Sequence, residues 1–483
     1  MAHAPMTITT INPIQFGTDG WRGVIAADFT FDRVMQVAPI AAQVLSEVYG
    51  AETGSNTVIV GYDRRFLSEE FARTAAESIR KAGFDVLFSE SFAPTPAFSW
   101  AAKKFNALGA IVITASHNPG IYSGLKVKSA HGGSVPPEVT KKIEAMLANQ
   151  APISEAQPGT FSNFDPWESY CEGLRSLVDT TAIKTAIEHG KVTVFADVMH
   201  GAAATGLARL LGVEIHEINS DRDPLFEGGA PEPLPKYLPK ILQTIANFQG
   251  DSLAVGLVFD GDADRVGAVD AKGNFLSSQI LIPILLEHLI KKGFGGEFVK
   301  TVSGSDLLPL VAKLYDLAVY ETPIGYKYIA DRMLETQVLI GGEESGGIGY
   351  GHHIPERDAL LSALYVLETV VQSGTDLGEL YRRLQEKAGF SSNYDRIDLP
   401  LANMEVRTKL LEQLKTQPPH TIAGKAVVSC QTDDGYKFRL ADQSWLLIRF
   451  SGTEPVLRLY CEAPTIEQVH QTLNWARDWA NQG

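Results

Sequence analysis

Short runs of β-branched residues alternate with longer amphipathic segments along most of the chain. The runs Thr57–Gly61, Ala110–Thr114 and Ala254–Phe259 have the length and apolar character of buried strands. Apolar residues in the segments between such runs recur at helical spacing. This alternation predicts α/β domains built on largely parallel sheets.

Capping residues predict where the first two helices begin and end. Thr30 precedes a helical segment that continues to about Val48, and Gly50 stands at its end. Ser68 is the expected N-cap of the next helix, and Gly83 is its expected end.

The alternation fills three successive blocks, and a fourth block differs from them. From about Asn393 the chain has four short strand patterns and then a terminal helix from about Thr465. This pattern is typical of an α+β domain with an antiparallel sheet. We therefore predict three α/β domains and a smaller α+β domain, with boundaries at residues 1–160, 161–273, 274–390 and 391–483.

Charge and composition limit the class of partner. The 42 Lys and Arg against 57 Asp and Glu give a net charge of −15, which repels nucleic acid and anionic membranes. No apolar run approaches the roughly 18 residues of a membrane span, so we expect no nucleic-acid or membrane partner. An anionic substrate would need locally clustered cations.

The cysteine pattern and the N-terminal sequence both indicate in which cellular compartment the protein resides. Cys171, Cys430 and Cys461 are scattered, and they predict neither a disulfide framework nor a zinc site. The N-terminus lacks the pattern of a secretory or transit peptide. We expect a cytoplasmic protein.

The hexapeptide Thr114–Pro119 follows an apolar strand directly. Ligands of open α/β sheets gather at the carboxyl ends of strands, so Ser116 is a candidate nucleophile or phosphate carrier. The alternative is an ordinary Ser/Asn/Pro turn. A Ser-His-Asp hydrolase is disfavoured because no Gly-x-Ser-x-Gly motif surrounds Ser116, and the adjacent His117 need not face the hydroxyl.

Three carboxylates follow another apolar strand at alternate positions. Asp260, Asp262 and Asp264 can converge on one divalent cation. An EF-hand loop would need Gly and Glu where Arg265 and Ala271 stand, so that motif is excluded. The alternative is a solvated acidic turn.

Two later strand patterns are followed by glycine-containing loops. In loop 341–347, Glu343 and Ser345 offer a carboxylate and a hydroxyl suited to adjacent sugar hydroxyls. Loop 449–455 and the following Arg458 combine hydroxyls, exposed amides and two guanidinium groups, which suits phosphate. The alternative for the second loop is a hairpin turn with an exposed arginine.

Two further loops contribute cations. Arg22 lies in the glycine-rich loop 16–23, and Lys327 lies in the post-strand turn 322–327. Either loop could be structural by itself.

Five of these loops together resemble those of the α-D-phosphohexomutase family, which includes phosphoglucomutases and phosphomannomutases. They are residues 16–23, 114–119, 260–265, 341–347 and 449–455. The resemblance covers essentially the whole chain in family order, with at least one motif in each predicted domain. It implies three similar mixed α/β domains and a C-terminal TATA-binding-protein-like α+β domain around a central cleft.

The resemblance also implies a role for each motif. Ser116 would be the phosphoserine and would hold Mg²⁺ together with Asp260, Asp262 and Asp264. Its phosphoryl group would pass to a sugar hydroxyl to give glucose 1,6-bisphosphate, which also serves as activator. The other catalytic candidates are His117, Lys126, Arg22 and Arg265. The substrate-binding candidates are Thr322, Gly325, Lys327, Glu343, Ser345, Arg357, Arg449, Ser451, Gly452, Thr453 and Arg458.

Two cationic candidates differ in the proton chemistry they allow. Lys126 stands where the family has a lysine proposed to assist proton transfer, and flanking cations could lower its pKa for that role. The alternative is a lysine that only steadies phosphate. Arg357 stands where many members have lysine, and a guanidinium group cannot donate a proton near neutral pH.

The sequence of loop 341–347, called the sugar loop below, favours glucose among the family's substrates. Its Gly-Glu-Glu-Ser-Gly-Gly sequence resembles that of glucose-directed members, and Glu344 in place of glutamine argues against an amino sugar. We therefore predict a Mg²⁺-dependent phosphoglucomutase that acts on small-molecule hexose phosphates as a monomer or dimer. The alternatives are a phosphomannomutase, a glucose-1,6-bisphosphate synthase and a non-catalytic sugar-phosphate sensor.

Overall fold

The computed structural model describes residues 13–149, 157–451 and 455–482. The strands are β1 (Phe16–Gly17), β2 (Gly20–Val24), β3 (Thr57–Tyr62), β4 (Asp85–Ser89), β5 (Gly109–Ile113), β6 (Tyr122–Ser129), β7 (Phe161–Phe164), β8 (Val192–Asp197), β9 (His216–Ile218), β10 (Leu253–Phe259), β11 (Val266–Val269), β12 (Phe275–Leu276), β13 (Glu297–Thr301), β14 (Val319–Thr322), β15 (Val338–Gly342), β16 (Ile348–Tyr350), β17 (Asn393–Pro400), β18 (Thr421–Ile422), β19 (Lys425–Gln431), β20 (Tyr436–Leu440), β21 (Trp445–Phe450) and β22 (Val456–Ala463).

Helices connect and cover these strands. They are α1 (Phe31–Thr53), α2 (Ser68–Lys81), α3 (Thr95–Lys104), α4 (Pro137–Ala148), α5 (Glu168–Arg175), α6 (Thr180–Glu188), α7 (Gly206–Leu211), α8 (Pro239–Ala246), α9 (Ser278–Lys291), α10 (Leu307–Lys313), α11 (Tyr326–Glu335), α12 (Ala359–Ser373), α13 (Leu377–Ala388), α14 (Met404–Thr416) and α15 (Ile466–Gln482), with short 3₁₀ helices at Phe226–Gly228 and Pro235–Tyr237. No helix in these described segments has both the length and the apolar character needed to cross a membrane.

The first three sheets are mixed. Their strand orders are β1-β2-β6-β5-β3-β4-β7, β12-β11-β10-β8-β9 and β14-β13-β15-β16. Each contains a parallel block, namely β5-β3-β4-β7, β10-β8-β9 and β14-β13-β15. Strand β7 lies beyond the boundary predicted at residue 160, yet it pairs with β4 in the first sheet.

A hairpin borders each parallel block. Strands β5 and β6, β10 and β11, and β15 and β16 are antiparallel neighbours. In the fourth sheet, β17-β22-β21-β20-β19-β18, every pairing is antiparallel, and β21 and β22 form the corresponding pair. The loops at 114–119, 260–265, 341–347 and 449–455, which carry candidate site residues, therefore each connect two antiparallel strands. The sequence patterns predicted the leading strands of the first three pairs but not their return strands.

Helix α1 begins where it was predicted and ends later. The Thr30 hydroxyl accepts a hydrogen bond from the amide of Arg33, at 3.4 Å. The helix passes Gly50 and ends at Gly54, whose φ of 62° is left-handed. The predicted end at Gly50 was wrong because Gly54, not Gly50, adopts the left-handed conformation that ends a helix.

The N-cap of helix α2 also differs from the prediction. Leu67 holds the N-cap position with a φ of 59°, and Ser68 is already helical. The Ser68 hydroxyl donates instead to Asp63 Oδ1, at 2.6 Å. A tertiary partner therefore takes the hydroxyl that the sequence pattern assigned to the helix end.

One continuous apolar core connects the first three sheets. It includes Phe98 of α3, Phe259 of β10 and Leu364 of α12. The fourth sheet has a core of its own, and a small cluster that contains Val302 and Trp445 joins it to the third sheet. Three domains thus form one body, and the fourth packs against that body.

Candidate active site

Ser116 lies in the loop directly after β5 and is buried, with 1% of its surface exposed. Its φ of 52° is left-handed, and its amide donates to the hydroxyl of Thr114 at 2.9 Å. Its Oγ lies 3.0 Å from Asp260 Oδ2 and 3.3 Å from Nδ1 of His117. The serine, a ring nitrogen and a carboxylate of the second domain therefore meet at one point.

Asp260, Asp262 and Asp264 converge as the sequence pattern predicted. All three are completely buried, and each offers an oxygen within 4.8 Å of the others. Oδ1 of Asp262 and Oδ1 of Asp264 have no hydrogen-bond partner among the described residues. Unpaired buried carboxylate oxygens fit a hard divalent cation such as Mg²⁺, which prefers oxygen ligands.

Hydrogen bonds from its own backbone amides stabilise the conformation of the acidic loop, residues 260–265. Asp260 Oδ1 accepts from the amides of Asp264 and Arg265, at 3.0 and 3.1 Å. Burial raises the pKa of Asp260 well above its ordinary value, and the charges of Asp264 and Asp262 add to this effect. A cation at this site would oppose the same repulsion.

Lys126 is surrounded by carboxylates rather than by cations. Its Nζ lies 2.7 Å from Asp19 Oδ2 and 2.8 Å from an oxygen of each of Asp262 and Asp264. Burial alone would lower the pKa of Lys126, but the three negative charges outweigh burial and raise it. The expected lowering of this pKa by flanking cations is therefore wrong for this arrangement.

Asp19 is a site residue that the sequence reasoning missed. It contacts Lys126, and it also lies 3.1 Å from Nζ of Lys128 and 2.7 Å from the Arg357 guanidinium. Burial raises the pKa of Asp19, but these three cations outweigh burial and hold it well below its ordinary value. The only available signal was its position in the same glycine-rich loop as Arg22.

Arg357 reaches across three domains. One of its terminal nitrogens lies 2.7 Å from Asp19 Oδ2 and 2.6 Å from Asp264 Oδ2, and the other lies 4.0 Å from Glu343. Burial alone would lower its pKa, but Asp264 and Asp19 raise it well above its ordinary value. The guanidinium group is thus a fixed charge.

Arg22 and Arg265 both line the cleft, and their charges act on the loop that carries Ser116 and His117. The Arg22 guanidinium donates to Asn118 Oδ1 at 2.5 Å, and Arg265 lies 3.7 Å from Glu232. Burial and the charges of these two arginines hold the pKa of His117 well below its ordinary value. The imidazole of His117 is therefore neutral at pH 7.

The sugar loop lies beside the turn before α11. Glu343 Oε1 accepts from the amide of Gly325 at 3.0 Å, and burial raises the pKa of Glu343. Ser345 and Lys327 both line the cleft. Thr322 is buried instead, and its hydroxyl donates to the carbonyl oxygen of Pro323 at 3.0 Å.

The fourth domain contributes three arginines to the cleft. Arg449 and Arg458 were predicted, whereas Arg396 of β17 was missed. Arg396 lies 3.2 Å from Glu344 and 3.7 Å from Glu232, so it connects the fourth domain to the third and the second. The charged residues Arg396 and Asp398 occupy alternate positions on β17, and this spacing was the sequence signal that could have indicated Arg396.

The structure describes only residues 449–451 and 455 of the predicted phosphate-binding loop 449–455. The Ser451 carbonyl accepts from the side chain of Arg407, at 2.8 Å. Gly452 and Thr453 lie outside the described residues.

The cleft between the four domains has a volume of about 390 Å³. Its charged lining includes seven Lys or Arg and five Asp or Glu side chains, so the lining is net cationic although the chain carries a net charge of −15. Ser116 and Lys126 lie beneath this lining. The lining residues are Thr18, Asp19, Arg22, His117, Ser134, Glu232, Arg265, Ile324, Gly325, Tyr326, Lys327, Glu343, Glu344, Ser345, Arg357, Arg396, Asp398, Arg449 and Arg458.

Four domain families match the chain in order. Three are described as phosphoglucomutase/phosphomannomutase alpha/beta/alpha domains, and the fourth as the C-terminal domain of the same proteins. Domains I, II and III match residues 13–153, 168–273 and 277–388, and the C-terminal domain matches residues 401–474.

Similar proteins carry related names. The chain is 29% identical over 465 residues to a phosphoglucomutase/phosphomannomutase of Thermococcus kodakarensis, covering 95% of this chain and 96% of the relative. It is 30% identical over 474 residues to a phosphoglucosamine/phosphogalactosamine mutase of Sulfurisphaera tokodaii, covering 95% and 97%. A solved structure described as a phosphomannomutase from Thermus thermophilus matches with a TM-score of 0.83 at 34% identity, covering 97% and 99%.

Proposed function

Since the chain belongs to the phosphoglucomutase/phosphomannomutase family, and is thus an enzyme of the phosphohexomutase superfamily, we propose that it interconverts glucose 1-phosphate and glucose 6-phosphate. The observation that carries the proposal is the position of Ser116. Its hydroxyl lies 3.0 Å from the Asp260 carboxylate, beneath a cation-lined cleft of about 390 Å³. This juxtaposition suits a serine that carries a phosphoryl group beside a metal site.

Ser116 Oγ would carry the phosphoryl group between two positions of one sugar. In the first transfer, the P–Oγ bond breaks, a bond from phosphorus to the free sugar oxygen forms, and the proton of that hydroxyl ends on Oγ. Glucose 1,6-bisphosphate would then reorient in the cleft so that its other phosphate faces Oγ. The second transfer returns its other phosphoryl group to Oγ and the proton to the freed sugar oxygen, so no co-reactant is consumed.

The residues around Ser116 would divide the work of transfer. Mg²⁺, held by Asp260, Asp262 and Asp264 together with phospho-Ser116, would neutralise charge on the transferring group. Arg22 and Arg265 would stabilise the remaining phosphoryl oxygens. His117 would move the proton between Oγ and the sugar, and the distance of 3.3 Å from its Nδ1 to Oγ supports this role. Lys126 would act as a fixed positive charge.

The acidic residues of the sugar loop support a neutral sugar rather than an amino sugar. The Glu343 carboxylate lies 4.0 Å from the Arg357 guanidinium, and the Glu344 carboxylate lies 3.2 Å from that of Arg396. Neither carboxylate is left as the isolated counter-ion that a sugar ammonium group would require. Both can still accept hydrogen bonds from hydroxyl groups.

Arg396, Arg449 and Arg458 would bind the phosphate that does not react. They stand on the fourth domain and line the cleft, and arginine suits bidentate phosphate binding. Because the sugar turns between the two transfers, this site must accept the phosphate in both orientations. Three positively charged groups on the neighbouring strands β17, β22 and β21 offer several donors for that purpose.

A substrate panel tests the proposal. Purified protein with Mg²⁺ and a trace of glucose 1,6-bisphosphate is assayed with glucose, mannose and glucosamine 1-phosphates, and released bisphosphate is quantified. We expect the highest kcat/KM with glucose 1-phosphate, little free bisphosphate, and near-complete loss of activity in Ser116→Ala. Near-wild-type turnover by Ser116→Ala would refute the phosphoserine, and a preference for mannose or glucosamine phosphate would refute the sugar assignment. In a parallel assay that adds a different bisphosphorylated metabolite as phosphoryl donor, accumulation of free glucose 1,6-bisphosphate would identify a synthase.

A further inference from the structure

We propose that Arg65 is a positioning residue that holds the Ser116 loop in the conformation required for phosphoryl transfer. Arg65 follows β3, the parallel neighbour of β5, and its side chain is completely buried. It touches neither the cleft surface nor the three aspartates of the acidic loop at hydrogen-bonding distance. The inference rests on the proposed role of Ser116 as the phosphoserine.

The Arg65 guanidinium binds the main chain of the serine loop at four points. One terminal nitrogen donates to the carbonyl oxygens of Ser116, at 2.5 Å, and Asn118, at 2.6 Å. The other donates to the carbonyl oxygens of Pro119 and Tyr122, both at 3.1 Å. A single side chain therefore fixes the loop from the nucleophile to the first residue of the return strand β6.

Arg65 is itself fixed from two sides. Its Nε lies 3.2 Å from Asp63 Oδ2, and Asp63 Oδ1 accepts from the Ser68 hydroxyl at 2.6 Å. From the second domain, the ring of Phe226 lies 4.8 Å from the guanidinium, and Arg222 donates to the Arg65 carbonyl oxygen at 3.0 Å. Arg65 thus ties the serine loop to both the first and the second domain.

The geometry explains why the residue is an arginine. Ser116 has a left-handed φ of 52°, which is unfavourable for a residue with a Cβ unless its surroundings impose it. Carbonyl oxygens that converge on one buried point need several donors in fixed directions, and the planar guanidinium group supplies five. A lysine has three rotatable donors on one nitrogen and cannot bridge the same span.

The position of the serine backbone determines where Oγ lies. With the Ser116 carbonyl fixed, Oγ stands 3.0 Å from Asp260 Oδ2. A displacement of about 1 Å in a reacting group can reduce the rate about 100-fold. Loss of the guanidinium should therefore reduce the rate of transfer without weakening the distant phosphate-binding arginines.

The test compares Arg65→Lys and Arg65→Ala with Arg64→Lys in the full-length enzyme. Arg64 is adjacent, but its side chain donates to the carbonyl of Ser220 and not to the serine loop. We expect kcat to fall roughly 10- to 100-fold in both Arg65 variants, with KM within about threefold of wild type. Arg64→Lys should keep the wild-type kcat. Millimolar guanidinium should restore part of the activity of Arg65→Ala, and methylammonium should not.

Several outcomes overturn the inference. They are a wild-type kcat in Arg65→Lys, a KM that rises as much as kcat falls, or equal rescue by both cations. If Arg65→Ala does not fold, the kcat and KM of Arg65→Lys decide. The rate at which glucose 1,6-bisphosphate phosphorylates Ser116, followed by mass spectrometry, distinguishes a failure of the proposed function from a failure of the role of Arg65. No phosphorylation of the wild type refutes the proposed function itself, whereas equal rates in wild type and Arg65→Lys refute only the role of Arg65.

Discussion

Lys126 has more negative neighbours than one positive charge can balance. Three carboxylates, from Asp19, Asp262 and Asp264, lie within 2.8 Å of its Nζ, and the lysine is buried. Two of these carboxylates also belong to the predicted Mg²⁺ site. The lysine and a divalent cation therefore stabilise the same charges.

We expect Lys126→Met to destabilise the protein most when Mg²⁺ is scarce. Removal of one partner from a buried ion cluster costs about 3–5 kcal/mol, because the remaining charges stay buried and unbalanced. Added Mg²⁺ should restore part of this loss, so its stabilising effect should be larger in the variant than in the wild type. Thermal unfolding with EDTA and with millimolar Mg²⁺ measures both effects. An equal increase in Tm with Mg²⁺ in both proteins would contradict the shared role.

The environment of Lys126 shows where prediction at the residue scale stops. The alternate positions of Asp260, Asp262 and Asp264 after an apolar strand predicted their convergence, and the family resemblance implied that Ser116 lies beside them. It could not place Asp19 against Lys126, since that contact depends on how β2 pairs with β6 across a long chain separation. Charge neighbours that come from strand pairing leave no local pattern.

At the scale of elements, the hairpins explain both the successes and the omissions of the sequence patterns. The leading strands β5, β10 and β15 are continuous apolar runs, as expected for strands buried on both faces. The return strand β6 contains Lys126 and Lys128, which are buried among carboxylates rather than exposed. Its polar composition concealed a buried strand, because the function of the site, not the hydrophobic core, determines those residues.

Two hairpin loops approach each other closely at Gly261. A Cβ built on this glycine would lie 2.4 Å from the Ser116 carbonyl oxygen and 2.9 Å from Pro231 Cγ. The first of these neighbours is backbone, so the serine loop itself would have to move. Glycine at this position therefore allows the metal loop to pack against the nucleophile loop.

We expect Gly261→Ala to reduce kcat by about 10- to 100-fold, because displacement of the Ser116 backbone misplaces Oγ. Overpacking should also cost about 1–3 kcal/mol of stability. Steady-state kinetics and urea unfolding measure the two effects. Gly295→Ala is the matched control, since no atom lies within 4 Å of its built Cβ, and it should change neither quantity appreciably. An unchanged kcat in Gly261→Ala would contradict the close packing of the two loops.

At the scale of the molecule, the fourth domain is joined to the third by a polar junction beside a small apolar cluster, and not by the shared core of the first three domains. Glu462 is completely buried and accepts from the Asp306 amide and the Trp445 ring nitrogen, both at 2.8 Å. Lys437 is also buried, and its Nζ donates to the carbonyl of Val302 at 2.8 Å. The arginines that the fourth domain contributes to the cleft depend on this junction for their position.

Lys437 makes the junction sensitive to pH. Burial, with the nearby charge of Lys300, lowers the pKa of Lys437 to about 8, although Asp306 and Glu321 oppose this shift. An unfolded lysine has a pKa of about 10.4. Between these values the unfolded chain binds a proton that the folded protein has released, so the contribution of Lys437 to stability must rise with pH. Below about pH 8 both states are protonated, and the contribution is constant.

Comparison of wild type with Lys437→Met across pH 7 to 10.5 tests this coupling. The free energy of unfolding of the wild type should rise relative to the variant by about 2–3 kcal/mol between pH 8 and 10.5, and the difference should be flat below pH 8. Urea unfolding at fixed ionic strength gives both quantities. Lys415→Met, which removes an exposed lysine from the same domain, controls for the loss of one charge. A difference that stays flat to pH 10.5 would show that folding does not lower the pKa of Lys437, and it would contradict the pH sensitivity of the junction.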